Sequence, residues 1–157
     1  MKHFRTLLSL AASAAAVVVQ AAPAHAVVPD GTFIVRDVGT GQCLAPAGEG
    51  PFAPAVLGDC AEWNVTGLGD DLVRITEVGS EQRCLGVAPL QIHPPLVDAV
   101  PCLYDTPTEW RLEGPAEGPL DIVSPGGTEC VQPSGGPGSR MQLGDCEAPR
   151  FVLEPTG

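Results

Sequence analysis

The residues best suited to chemistry in this chain are six cysteines, and their setting favours disulfides over a metal site. An even number of cysteines is typical of a disulfide framework in an oxidising compartment. Zinc would need pairs such as C-x-x-C or several histidines, but the chain has no C-x-x-C, and only His93 lies beyond residue 26. We therefore predict no metal. The cysteines are Cys43, Cys60, Cys84, Cys102, Cys130 and Cys146.

The remaining candidate groups give little support to catalysis. A Ser-His-Asp triad needs a histidine, and His93 is followed by Pro94-Pro95 in what reads as a rigid loop. The 19 acidic residues offer many carboxylate pairs for glycoside hydrolysis, but no spacing singles out two of them. Asp70-Asp71 lacks the spaced acidic pattern of a calcium loop. We expect a protein that is not an enzyme and has no cofactor.

The first 26 residues have the pattern of a secretory signal peptide. Lys2 and Arg5 precede an apolar run, and Ala24-His25-Ala26 supplies an A-x-A cleavage motif. A membrane anchor is the alternative, but the run is short for a transmembrane helix. We therefore expect cleavage after Ala26, a secreted single domain over residues 27–157, and no membrane attachment after cleavage.

The charge of the chain restricts its partners. It carries 8 basic and 19 acidic residues, a formal net charge of −11, and two of the basic residues belong to the leader. Nucleic acids and anionic membranes are bound through clustered cations, which this chain lacks. We therefore exclude nucleic acid as a partner and expect an acidic extracellular monomer.

The cysteine spacing indicates an internal repeat. Six cysteines allow 15 pairings. In chain order they form three pairs separated by 17, 18 and 16 positions, while the gaps between the pairs are 24 and 28. This regularity favours bonds between neighbours. The predicted bonds are Cys43 to Cys60, Cys84 to Cys102 and Cys130 to Cys146.

The rest of the chain follows the same period of about 40 residues. Apolar residues in alternation precede a glycine before each first cysteine, and each second cysteine is followed by an aromatic residue and then an aliphatic one. Alternation of this kind predicts half-buried strands beside turns. Units of about residues 31–71, 72–118 and 119–157, with four short strands each, would close into a pseudo-threefold barrel. The predicted core positions are Trp63, Val65, Trp110, Leu112, Phe151 and Leu153.

These motifs resemble those of a known family. The segment from Asp30 to Leu44 resembles the start of a ricin-type β-trefoil repeat. Leu57-Gly58-Asp59-Cys60 and Leu143-Gly144-Asp145-Cys146, each followed by an aromatic residue, resemble its second half. The resemblance recurs in order and covers almost the whole chain after the leader. It implies an all-β β-trefoil fold, one disulfide within each repeat, and a lectin-like, carbohydrate-binding function.

The residues with which this family usually binds sugar are replaced here. The family has an Asp two positions after the first cysteine, an aromatic residue two before the second, and a Gln two before the Trp. The chain has Ala45, Gly86 and Gln132 at the first position, Gly58, Val100 and Gly144 at the second, and Ala61, Thr108 and Pro149 at the third. Without a carboxylate and a ring, simple galactosides should bind weakly or not at all there. Asp59 and Asp145 remain as candidates for ligand contact or, alternatively, for turn geometry.

A proline-rich loop from Gly86 to Pro101 is a second candidate site. Its restricted backbone could present Leu90, Gln91 and Ile92, with nearby Tyr104, to another protein at little ordering cost. Alternatively, its aliphatic residues fold back and cap the barrel. The sequence thus predicts a secreted binding module that takes a glycan through a non-standard site. The alternative is a module that binds an extracellular protein, such as a protease inhibitor acting through this loop.

Overall fold

The computed structural model describes residues 28–80, 82–103 and 105–157. The predicted leader, residues 1–26, and Tyr104 lie outside these ranges. The regular elements within them are all strands: β1 Gly31–Asp37, β2 Cys43–Pro46, β3 Ala53–Gly58, β4 Glu62–Gly69, β5 Leu72–Glu77, β6 Arg83–Val87, β7 Val97–Pro101, β8 Glu109–Glu113, β9 Asp121–Val123, β10 Cys130–Pro133, β11 Met141–Gly144 and β12 Phe151–Pro155. No helix in this part of the chain has the length and apolar character needed to cross a bilayer.

Six of the strands form a closed antiparallel barrel. β1 pairs with both β12 and β4, β4 with β5, β5 with β8, and β8 with β9. An isolated bridge between Leu120 and Phe151 joins the start of β9 to β12 and completes the ring. Closure leaves these strands without a free edge that could pair with another chain.

The other six strands form three hairpins, β2–β3, β6–β7 and β10–β11, that contact one another at one end of the barrel. Ala53 of β3 pairs with Ala99 of β7, and bridges from Arg140 to Val56 and from Gln142 to Leu96 attach the third hairpin to the other two. A six-stranded barrel capped by three hairpins, with four strands from each repeat, is a β-trefoil. The predicted fold class is confirmed.

The turn between β4 and β5 accounts for Asp70-Asp71. Both residues have positive φ, 52° and 61°, as a two-residue hairpin turn with the matching twist requires. Short polar side chains tolerate this conformation better than most. Among the described residues, no group of three or more potential ligands is arranged to hold a metal ion.

The barrel interior is built from the predicted core positions. Trp63, Trp110 and Phe151 are fully buried, and Val65, Leu112 and Leu153 are at most 8% exposed. Nε1 of Trp63 donates to the carbonyl of Leu44 at 2.9 Å, and Nε1 of Trp110 donates to the carbonyl of Leu85 at 2.8 Å. Both acceptors follow the first cysteine of their repeat. The core prediction is therefore confirmed, and each tryptophan also ties its barrel strand to its hairpin.

Each repeat closes its own disulfide. The bonds are Cys43–Cys60, Cys84–Cys102 and Cys130–Cys146, so the predicted pairing is confirmed. In each case the bond joins the first strand of a hairpin to the segment that follows its second strand. The disulfides therefore fix each hairpin at its base but do not link one repeat to another.

Arginine side chains make the links between repeats. Nε of Arg150 donates to Oδ1 of Asp37 at 2.7 Å, and the carboxylate of Asp37 is fully buried. One terminal nitrogen of Arg140 donates to both oxygens of Asp98, at 2.7 and 2.9 Å. Arg83 donates to the carbonyls of Gly48 and Gly50 at 3.0 and 2.8 Å. Each of the three repeats is thus joined to both others.

Candidate functional site

A small cleft in the third repeat brings polar side chains together from both halves of that repeat. Gln132 lies on β10, Asp145 follows β11, Glu147 lies two residues further on, Arg150 directly precedes β12, and Asp121 begins β9. The cleft has a volume of about 40 Å³. Its remaining lining residues are Cys130, Val131 and Ala148, so it contains no aromatic ring. We call it the third-repeat cleft.

Gln132 lines one wall of this cleft, and its side chain lies over Gly144. Gly144 pairs with Cys130 across the hairpin, two positions from Gln132. The side-chain amide of Gln132 lies where a Cβ atom at position 144 would be. The space that a side chain at position 144 would take is therefore occupied by this amide.

The charges in the cleft are mixed. Burial raises the pKa of the Asp121 carboxyl and the charge of Glu113 raises it further, while a backbone hydrogen bond and the charge from Arg150 lower it. Asp145 and Glu147 are exposed carboxylates, and Arg150 is partly engaged by Asp37. Carboxylates accept hydrogen bonds, whereas the amide of Gln132 and the guanidinium of Arg150 donate them. This combination suits hydroxyl groups, which both donate and accept.

The equivalent positions of the first two repeats are filled. A Cβ atom on Gly86 would lie 2.6 Å from Cγ2 of Val100 and 3.0 Å from the carbonyl oxygen of Pro107, so no larger side chain fits there. In the first repeat Ala45 is 8% exposed and carries no polar group. The polar arrangement of the third-repeat cleft is therefore not repeated at these positions.

The two acidic candidates from the sequence have different surroundings. Asp59 and Asp145 are both exposed and occupy equivalent positions after β3 and β11. Asp145 lines the third-repeat cleft, whereas Asp59 follows a glycine at the end of β3. Contact of either carboxylate with a ligand stays a prediction, and the surroundings favour Asp145.

The proline-rich loop is shorter than the sequence suggested. Gly86 and Val87 end β6, and Val97–Pro101 form β7, so the loop itself covers residues 88–96. Side chains at its tip are exposed, Leu90 by 53% and Ile92 by 48%, and Gln91 is exposed as well. Val97 is fully buried. Each of the two interpretations fits a different part of the segment. Its base packs into the core, as expected for a cap on the barrel, while its tip faces solvent, as expected for a binding loop.

This loop is held at both ends. The backbone N–H of Ala88 donates to the carbonyl of Leu96 at 2.8 Å, and that of Leu143 donates to the carbonyl of Pro95 at 2.8 Å. A bridge between Leu96 and Gln142 anchors the same end to the third hairpin. The exposed tip is therefore presented on a fixed base.

A second exposed aliphatic group lies at the other end of the same hairpin. Leu103 is fully exposed and follows Cys102, at the end of the hairpin where Arg83 pairs with Pro101. The loop lies beyond the opposite end of the strand pair, where β6 gives way to residue 88. Leu103 and the loop are thus separate features. Tyr104, which the sequence grouped with the loop, lies outside the described residues.

Of the charged residues in the third-repeat cleft, only Asp145 was predicted from the sequence. Gln132 was interpreted as the loss of a carboxylate, and Glu147, Arg150 and Asp121 were not predicted. The short segment from Asp145 to Arg150 holds three charged residues and was a usable signal. Asp121 gave none, because only the pairing of barrel strands brings it to the cleft.

Comparison with solved structures identifies the class of fold. The designed threefold-symmetric protein ThreeFoil is similar, with a TM-score of 0.69, 15% identity, and coverage of 81% of this chain and 100% of that one. The Rhizoctonia solani agglutinin is similar, with a TM-score of 0.65, 17% identity, and coverage of 85% and 100%. A mosquitocidal holotoxin matches with a TM-score of 0.69 at 8% identity, covering 83% of this chain, which spans only 18% of the toxin chain.

At these identities the likeness defines a β-trefoil and nothing finer. No protein-family model matches the chain, and no curated protein matches it in sequence.

Proposed function

We propose that the chain is a secreted, non-enzymatic binding module of the ricin-type, lectin-like kind, and that it takes a glycan in the third-repeat cleft. The observation that carries the proposal is the convergence of Gln132, Asp145, Glu147 and Arg150 at the position where ricin-type repeats bind sugar. The agglutinin with the same fold supports a glycan as the ligand class. Three disulfides support an oxidising, extracellular setting.

The dimensions of the cleft restrict how a sugar would bind. A volume of about 40 Å³ is close to the share of one water molecule in the liquid, roughly 30 Å³. It therefore takes one or two hydroxyl groups or a hydroxymethyl group of a terminal sugar, and the rest of the ring stays outside. With no stacking ring, affinity depends on hydrogen bonds and is weak for a monosaccharide.

The charge of the cleft restricts which sugars fit. It presents three carboxylates and one guanidinium that is already engaged, on a chain with a net charge of −11. Acidic sugars are repelled by this field, whereas neutral and amino sugars are not. The preferred ligand is a neutral or amino sugar at the end of a glycan chain.

The test is a glycan screen followed by titration with galactose, lactose, xylose oligomers, an amino sugar and glucuronic acid. Gln132→Ala and Asp145→Asn should each abolish binding that the native protein shows. Asp59→Asn is the matched control, since it makes the same change at the equivalent position of the first repeat. Binding that survives both cleft variants, or perturbed resonances centred on Ala45 or Gly86, would contradict the proposal.

A second candidate function is binding of an extracellular protein, such as a protease, through the loop at residues 88–96. The exposed tip residues Leu90 and Ile92 on an anchored base are the observation that favours it. A panel of secreted proteases should be inhibited by the native chain and not by Leu90→Ala/Ile92→Ala. Val38→Ala/Val78→Ala removes exposed aliphatic groups elsewhere and is the control. Inhibition that survives the loop change rules this function out.

A further inference from the structure

The open end of the barrel contains the largest of the cavities described. It has a volume of about 580 Å³ and lies where β1 begins and β12 ends, beside Ala116 and Glu117 from the segment between β8 and β9. Phe33 of β1 pairs with Pro155 of β12 at this end, whereas the hairpin cap lies beyond the other ends of these strands. The volume is within the range of about 300–1,000 Å³ that is usual for sites of small organic ligands. We call it the barrel-mouth cavity.

The floor of this cavity is apolar. Phe33 and Leu153, which are 7% and 8% exposed, form it together with Val28, which packs against the barrel core. The backbone at Gly31 lies close to the Phe33 ring, because a Cβ atom there would be 3.3 Å from the ring edge. The floor is therefore part of the packed core.

The rim of the cavity is acidic. Asp30, Glu117 and Glu154 line it, and no lining residue is basic. Oδ1 of Asp30 accepts a hydrogen bond from the backbone N–H of Gly67 at 2.7 Å, which fixes the position of that carboxylate. A hydrogen bond and the charge from Arg36 lower the pKa of Glu154, so that it stays ionised at neutral pH. Arg36 compensates the charge of Glu154, but Asp30 and Glu117 form no ion pair among the described residues.

We infer that the barrel-mouth cavity binds a small amphipathic cation, an alkyl- or arylammonium compound. Its apolar body would lie on Phe33 and Leu153, and its ammonium group would lie at the acidic rim to which Asp30 and Glu117 contribute. An apolar floor supplies burial for the body, and the two uncompensated carboxylates select the sign of the charge. The same rim repels a fatty acid of equal length. The site is independent of the glycan proposal, because the third-repeat cleft shares no residue with it.

The experiment compares three probes with the same six-carbon chain: hexylamine, which is protonated at neutral pH, 1-hexanol and hexanoate. Binding to the full chain as secreted is followed by calorimetric titration and by two-dimensional NMR at low ionic strength. Hexylammonium should bind about fivefold tighter than hexanol, and hexanoate should bind most weakly. The shifted resonances should include Phe33, Leu153 and Ala116. The preference for the amine should fall as salt is added.

Two variants at the exposed rim test separately how the charge and the shape of the cavity contribute to binding, without disturbing the core. Glu117→Gln should remove most of the preference for hexylammonium and leave hexanol binding unchanged. Ala116→Trp fills the mouth and should weaken all three probes. Glu49→Gln, which neutralises an exposed carboxylate in the first hairpin, should change nothing.

Four outcomes overturn the inference. The first is equal affinity for the three probes, and the second is an amine preference that survives Glu117→Gln. The third is a set of shifts that maps away from Phe33 and Leu153. The fourth is no binding at all, as would follow if a second copy of the chain filled the cavity, and NMR contacts between copies at the cavity residues would show this.

Discussion

At the scale of single residues, equivalent core positions in the three repeats contribute differently to stability. Trp63, Trp110 and Phe151 occupy the same place, but only the two tryptophans donate a hydrogen bond to the carbonyl after the first cysteine. In the third repeat, Phe151 is buried at this position but has no N–H group to donate such a hydrogen bond. Stability contributed by this position should therefore be larger in the first two repeats.

Trp110→Ala tests that contribution. The change empties a fully buried site and leaves the Leu85 carbonyl without its donor, so it should lower the free energy of unfolding by about 3–5 kcal/mol. Trp110→Phe keeps most of the volume and should cost less. Denaturant titration of both variants gives the two values. A near-neutral effect of Trp110→Ala would mean that Trp110 does not lie in the barrel core.

Asp121 should make stability depend on pH in an unusual direction. Burial and Glu113 raise its folded-state pKa, so its contribution is fully present below the pKa of the unfolded chain and is lost as pH rises through the folded-state pKa. Asp121→Asn should therefore be more stable than the native protein at neutral pH and match it in acid. Unfolding measured from acid to neutral pH checks this.

Glu154 provides a control of opposite sign for that experiment. Arg36 lowers its pKa, so its contribution is present above the unfolded-state pKa and is lost as pH falls through the folded-state pKa. Glu154→Gln should therefore weaken the protein at neutral pH and not in acid. If Asp121→Asn behaves like Glu154→Gln, the hydrogen bond from the Arg150 backbone outweighs the burial of Asp121.

At the scale of elements, one charged pair joins the second and third hairpins of the cap. Asp98 on β7 is 4% exposed and accepts two hydrogen bonds from Arg140, which lies just before β11. Arg140→Met should cost about 2 kcal/mol because it leaves a buried carboxylate unpaired; the value is below that of a fully buried pair since the Arg140 side chain is 34% exposed. Thermal unfolding measures the loss.

The double variant Asp98→Leu/Arg140→Met shows whether the ion pair stabilises the cap or only offsets the cost of burying its own charges. Replacing both partners with apolar side chains should recover most of the lost stability, as is common for buried ion pairs. If the double variant is as unstable as Arg140→Met, the pair is needed for the packing of the second and third hairpins against each other.

The elements also show which features the sequence could predict. Alternating apolar residues and the cysteine spacing identified the barrel strands, the core and the disulfides, because each depends on local periodicity repeated three times. The sequence predicted a loop over residues 86–101, but the loop covers only residues 88–96. Its prolines did not reveal that Val97 begins a buried strand. The third-repeat cleft was mostly missed because Asp121 and Gln132 meet only after the barrel closes and Gln132 turns across Gly144.

At the scale of the whole molecule, the three disulfides should contribute almost equally. They close loops of similar length, 17, 18 and 16 positions, and in the chain-entropy model each contributes about 3 kcal/mol. Replacing both cysteines of any one pair with alanine should lower the free energy of unfolding by that amount. Peptide mapping without reduction checks the pairing itself. A bond between two different repeats would contradict the threefold arrangement.

The distribution of aromatic side chains in the core also determines which structural changes tryptophan fluorescence can detect. The chain has two tryptophans, Trp63 and Trp110, and both are fully buried in the first two repeats. Their fluorescence therefore reports the unfolding of the shared barrel core, and neither tryptophan lines the third-repeat cleft. A titration with no change in emission would say nothing about a sugar in the third-repeat cleft. Phe151→Trp would place a fluorophore in the repeat that otherwise has none.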